Sequence, residues 1–110
     1  LSISGQIKRA IDRNYSDSTY SIDQFAGEVF LSPGYLREIF KRETGHTFSE
    51  YLLNRRLEEA CKFLNSPEVR IGQVAEWVGF NDQRYFSSCF KKAFGVTPSE
   101  YQLSAHISEN

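Results

Sequence analysis

Apolar residues recur along this chain at helical spacing, in short blocks separated by turn-forming residues. Ile3, Ile7, Ala10 and Ile11 form an i, i+4, i+7, i+8 stripe and predict a first amphipathic helix. The run RNYSDSTY breaks the pattern. Ser21, with Gln24 three residues on, reads as a capping box that opens a short helix carrying Ile22, Phe25, Ala26 and Val29 inward. Phe30-Leu31 reads as a turn. Ser32-Pro33 restarts a helix, with Ser as N-cap and Pro where its missing N–H costs nothing. That helix turns Leu36, Ile39 and Phe40 inward and stops at Gly45. Thr47 and Glu50 form a second capping box. It opens the longest helix, to about Leu64, with Leu53, Leu57, Ala60, Cys61 and Leu64 on one face. After Asn65-Ser66-Pro67, a short helix with Ile71, Val74, Ala75 and Val78 leads into the turn Gly79-Phe80-Asn81-Asp82. A further helix from about Gln83 carries Phe86, Cys89 and Phe90 inward and ends at Gly95. Thr97 and Glu100 cap a last short helix. No segment alternates with period two, so an all-α chain without a sheet is expected.

These blocks repeat. VFLSPGYLREIFKRETGHTFSEY at 29–51 returns as VGFNDQRYFSSCFKKAFGVTPSEY at 78–101. Phe40-Lys41, Gly45, Thr47 and Ser49-Glu50-Tyr51 reappear 50 positions later, whereas Ile22, Ala26 and Val29 reappear 49 later. The second copy therefore has one extra residue, and it falls in the turn. Two copies are too few for a solenoid. A duplicated unit of short helix, tight turn and second helix is the helix-turn-helix pattern, whose second helix enters the major groove of DNA. Ala26 and Ala75, midway along the first helix of each copy, permit a close crossing.

Composition narrows the picture. The chain has 110 residues, 40% of them hydrophobic, enough for one domain with a core, and nine Phe, six Tyr and one Trp make that core aromatic. Trp77 and Phe80 are expected inside it, and His46 on a surface loop. No run is long enough to span a bilayer, and the start, LSISGQIKRA, lacks a signal-peptide pattern, so a cytoplasmic protein is expected. The missing initiator Met suggests a piece of something longer. Cys61 and Cys89, at unrelated spacings on apolar faces, read as buried reduced thiols, and with His46 and His106 they show no metal-ligand spacing. No cofactor is implied. The net charge of −1 argues mildly against nucleic acid. Locally the balance reverses, because residues 82–95 hold Arg84, Lys91 and Lys92 against Asp82 alone. Arg55 and Arg56 are expected to face solvent or to pair with Glu58 and Glu59.

LSPGYLREIFKRETG followed by GFNDQRYFSSCFKKAFGVTPSEY resembles the DNA-binding domain of AraC/XylS-type transcription regulators. The second half is the more specific, with Gly79-Phe80, Tyr85-Phe86, Phe90-Lys91-Lys92, Gly95 and Pro98 in one ordered spacing. The resemblance covers about residues 5–103. It implies seven helices in two homeodomain-like lobes, within a single domain over 1–110. Lobe one lies at about 5–46, the connector helix at about 47–65 and lobe two at about 66–104. A connector of about 18 residues is about 27 Å long. Successive major-groove faces on one side of DNA are about 34 Å apart, so a rigid connector of this size suits two grooves, with some bending of the DNA.

The resemblance further implies that the domain is the C-terminal part of a regulator, beside a sensor or receiver domain, with promoter DNA and RNA polymerase as partners. FKRETGHTFSEYLLNRRLEEACKFL leans toward response-regulator members. Carried onto this chain, the base-reading positions are Gln83, Arg84, Ser87 and Ser88 in the second lobe. Gln and Arg suit two-pronged bonds to adenine and guanine. Ser88 departs from the Arg common in the family. In the first lobe the matching positions are Gly34, Tyr35, Arg37 and Glu38. Gly34 offers no side chain. Glu38 either accepts from a cytosine amino group or pairs with Arg42 four residues on. Ser32, Lys41, Arg42, Asn81, Lys91 and Lys92 are the expected phosphate contacts, which fix register rather than sequence choice.

No nucleophile, base or metal set converges in the sequence, and there is no Gly-rich phosphate loop, so catalysis is not expected. The rival reading is a helical protein–protein interaction module that has lost DNA binding, which the near-zero charge suits.

Overall fold

The computed structural model describes residues 2–108. Among them lie seven helices and no strand: α1 (Ile3–Asn14), α2 (Ile22–Val29), α3 (Pro33–Thr44), α4 (Phe48–Phe63), α5 (Ile71–Trp77), α6 (Gln83–Phe94) and α7 (Pro98–Ser108). None is long and apolar enough to cross a membrane. The chain divides into two compact units, and the boundary falls between Arg55 and Arg56, within α4.

In the first unit α1 and α2 both pack on α3. The core gathers Ile7, Ala10, Ile11, Tyr20, Ile22, Phe25, Ala26, Leu36, Phe40, Phe48 and Leu52. Phe40 meets Tyr51 edge-on at 5.5 Å and Phe48 at 6.4 Å. Arg55 has a long-range partner that the sequence did not suggest: its Nε donates to Asp12 Oδ1 at 2.9 Å, and its guanidinium lies 4.8 Å from the Tyr15 ring centre. Glu59 accepts from Lys62, at 2.8 Å.

The second unit packs α5 and α7 against α6. It buries Leu57, Ala60, Leu64, Val74, Ala75, Val78, Phe80, Phe86 and Phe90. Phe90 is the hub, with ring centres of Phe94 at 4.7 Å, Tyr101 at 5.5 Å and Phe86 at 5.8 Å. Gln102 Nε2 donates to the carbonyls of Ser66 and Val69, both at 2.9 Å, and so ties the loop after α4 to α7.

Three core expectations change. Trp77 is 44% exposed, with its ring 5.2 Å from that of Phe63, whereas Phe80 is buried as expected. Leu53 is half-buried while Leu52 is buried. α4 serves two units, Phe48 and Leu52 in the first and Leu57 and Ala60 in the second, so one continuous stripe does not describe it. Cys61 and Cys89 are free thiols but only half-buried. Burial still pushes the Cys61 thiol pKa up, with a hydrogen bond to Tyr101 working in the opposite direction.

The helix ends follow local chemistry. Thr47 and Glu50 exchange hydrogen bonds of 3.0 Å in both directions, and Thr97 and Glu100 do the same at 2.9 and 3.1 Å. The bonds from the Thr N–H groups hold both carboxyls below their ordinary pKa. Ser21 N–H donates to Gln24 Oε1 at 2.8 Å. Gly45 and Gly95 close α3 and α6 at φ of 81° and 82°, where an L side chain would be strained.

Phe30 adopts that left-handed conformation without being glycine, at φ 57°, and its side chain is 93% exposed. Its counterpart in the second copy is Gly79, at φ 98°. Leu31 N–H bonds to Ala26 O as Phe80 N–H bonds to Ala75 O, so the two turns begin with a matching bond. Holding Phe there costs about 1–2 kcal/mol, partly offset in a glycine variant by the freer unfolded chain. Phe30→Gly is therefore expected to raise stability by about 0.5–1 kcal/mol, read as a higher thermal midpoint. A lower midpoint would mean that the Phe30 ring stabilises the fold.

Candidate nucleic-acid interface

α6 starts where Asp82 accepts from Arg84 N–H at 2.9 Å, and α3 starts where Ser32 accepts from Tyr35 N–H at 3.2 Å. Ser32 and Asp82 are thus equivalent N-caps. Asn81 is the inserted residue of the longer turn, standing one place before the cap and exposed.

Both helices are strongly two-sided. Phe86 and Phe90 of α6, and Leu36 and Phe40 of α3, are fully buried. The opposite face of α6 carries Arg84, Ser87, Ser88 and Lys91 at i, i+3, i+4 and i+7, so these four share one stripe. Arg84, Ser88 and Lys91 are exposed and Ser87 half-exposed. Gln83 and Lys92, also exposed, flank the stripe, and Asp82, Gln83, Arg84 and Ser87 line a shallow hollow. On α3 the matching stripe is Gly34, Arg37, Glu38 and Lys41, all exposed, with Arg42 beside it. Open space surrounds Gly34 where a β-carbon would stand.

Several of these groups are already partly engaged. Lys41 Nζ donates to Gly45 O at 3.0 Å, closing the end of α3, which leaves two ammonium donors free. The Ser32 hydroxyl accepts a cap bond but still has a proton to donate. Lys91 and Lys92 end α6 as Lys41 and Arg42 end α3, where positive charge favours the helix dipole.

Tyr85 enters the sequence pattern beside Phe86 but not the set of expected DNA contacts. It is 58% exposed on α6, as its counterpart Tyr35 is 48% exposed on α3. Its ring centre lies 5.9 Å from that of Phe80. A hydrogen bond with Cys89 is the leading cause that holds its phenol pKa above the ordinary value, so the group stays neutral. The internal repeat was the available signal, since it pairs Tyr35 with Tyr85. Gly72 also went unnoticed; it contacts Gln83 through space, and nothing in its local sequence marks it.

Comparison with known proteins agrees with this geometry. A family model described as a helix-turn-helix domain matches residues 25–104. The C-terminal domain of AraT, a response regulator from Geobacillus stearothermophilus, is 36% identical. It superposes with a TM-score of 0.89 over 94% of this chain and 86% of that one. The transcriptional regulatory protein YesN of Bacillus subtilis is 45% identical over 67% of this chain and 21% of its own length. The arabinose operon regulatory protein of Escherichia coli is 35% identical over 91% of this chain and 34% of its own length. The chain thus spans about a fifth to a third of these two curated relatives. It belongs to the AraC-type helix-turn-helix family of transcription regulators.

Proposed function

We propose that this chain is the DNA-binding output domain of a bacterial-type transcription regulator, and that α3 and α6 each enter a major groove of promoter DNA. The observation that carries the reading is the outward stripe Arg84, Ser87, Ser88 and Lys91 on a helix whose other face is locked into an aromatic core. The same design recurs on α3. Rigid helices with free polar faces suit base reading, because side chains must reach groove edges from a fixed frame.

On this reading Gln83, Arg84, Ser87 and Ser88 meet base edges in one groove. Tyr35, Arg37 and Glu38 do so in the other, where Glu38 accepts from a cytosine amino group. Ser32, Lys41, Arg42, Asn81, Lys91 and Lys92 contact phosphates. Arg37 has to do most of the reading in its groove, because Gly34 stands where α6 has Arg84. The two lobes and connector form one functional domain. The likeness to the C-terminal domain of a response regulator supports a receiver-linked protein; on the proposed reading that protein works in the cytoplasm with RNA polymerase as its downstream partner.

A fluorescence-anisotropy titration of labelled duplex DNA tests the reading. A saturable complex that weakens steeply with added salt is expected. Binding absent at tens of micromolar, or indifferent to salt, would instead favour an interaction module without a DNA role.

A further inference from the structure

Gln83 opens α6, and its side chain lies against the first turn of α5. A β-carbon on Gly72 would stand 2.8 Å from Gln83 Oε1 and 3.7 Å from its Cδ, whereas ordinary contact begins near 3.4 Å. The Gln83 amide therefore occupies space that any other residue at position 72 would fill. By contrast, Gly27 and Gly34 are surrounded by open space. In the first repeat the corresponding positions hold Asp23 and Pro33, so the arrangement belongs to the second lobe. Helix stability gives no reason for a glycine at the second residue of α5, since glycine is a poor helix former.

We propose that Gly72 is a positioning residue that determines specificity: by leaving room for the Gln83 amide against α5, it sets the pose from which Gln83 meets a base edge. The proposal rests on the reading of α6 as a base-reading helix. A β-carbon would make the amide, the far end of a flexible side chain, give up this place against α5 at little cost in stability, and so change the pose from which it starts toward a base edge. Gln83 would still be present, exposed and able to form hydrogen bonds, but from the wrong place.

The test begins with duplexes selected from a random library by the unaltered protein. Each base pair is then varied, and binding is compared for wild type, Gly72→Ala, Gln83→Ala and the double variant. Gly72→Ala should lose about tenfold discrimination at the same single base pair that Gln83→Ala relaxes. The other positions should keep their preferences, and the double variant should match Gln83→Ala. The thermal midpoint of Gly72→Ala should not fall, because alanine favours the helix. In the free protein the Gln83 side-chain amide resonances should shift on Gly72→Ala. Unchanged base preference, uniform weakening on all sequences, additive losses in the double variant, or unmoved Gln83 resonances would each overturn the role of Gly72. Wild-type binding with no sequence preference would overturn base reading by α6 itself, and this proposal with it.

Discussion

Phe90→Ala is expected to remove about 3–5 kcal/mol of folding stability, out of the roughly 5–15 kcal/mol that such a domain possesses. Phe90 is fully buried and its ring touches those of Phe86, Phe94 and Tyr101, so truncation empties the centre of the second unit. Alanine at this site forfeits both the transfer of the ring out of water and the packing of three neighbours around a void. Trp77, the one tryptophan, lies in the same unit, so its fluorescence in a urea titration reports directly on that loss. Phe90→Leu keeps more of the volume and should cost clearly less. A loss below about 1 kcal/mol for Phe90→Ala would mean that the aromatic cluster does not hold α6 in place. The rigid frame for its outer face would then be gone.

Arg84→Ala is expected to leave folding intact and to cost about 1–3 kcal/mol of binding on sites that contain the base it reads. The cap at the start of α6 survives, because Asp82 accepts from the backbone N–H of residue 84 and not from its side chain. Alanine is also the best helix former. The loss should therefore appear in affinity and specificity, with no change in the thermal midpoint. Specificity should relax at one base pair, measured by binding to single-position variants of a selected site. Equal weakening on every sequence would assign Arg84 to phosphate.

Much of the fold was legible because it is set by neighbours in sequence. Capping boxes at Thr47 and Thr97, the Ser32-Pro33 start and the stops at Gly45 and Gly95 all involve groups within four residues of one another. Periodicity found Leu36, Phe40, Phe86 and Phe90 because one face of each helix is buried and the other is not. α4 was less legible: it changes the face it buries partway along, and the Leu53 expectation failed there. Trp77 shows a different limit. Its hydrophobicity predicts burial, but only tertiary packing decides whether a ring is covered on both faces or leans on one neighbour, as it does on Phe63.

The outer faces of α3 and α6 were legible once the repeat was seen, since residues opposite a buried stripe have to face outward. The contacts that tune them were not. Arg55 bonds to Asp12 across 43 positions, and Gly72 meets Gln83 only because α5 and α6 pack together. The turn was half legible. Comparing the copies revealed an extra residue, but only the cap geometry shows that Ser32 corresponds to Asp82 and that Asn81 is the insertion.

The central claim is that these faces bind duplex DNA, and its most direct test is the salt dependence of that binding. Four of the six candidate phosphate contacts are cationic, Lys41, Arg42, Lys91 and Lys92, so the log–log slope of the binding constant against salt is expected at about −4. Replacing Lys91 and Lys92 with Ala should reduce its magnitude by about one to two. A slope near zero, or one that the double substitution leaves unmoved, would contradict the account.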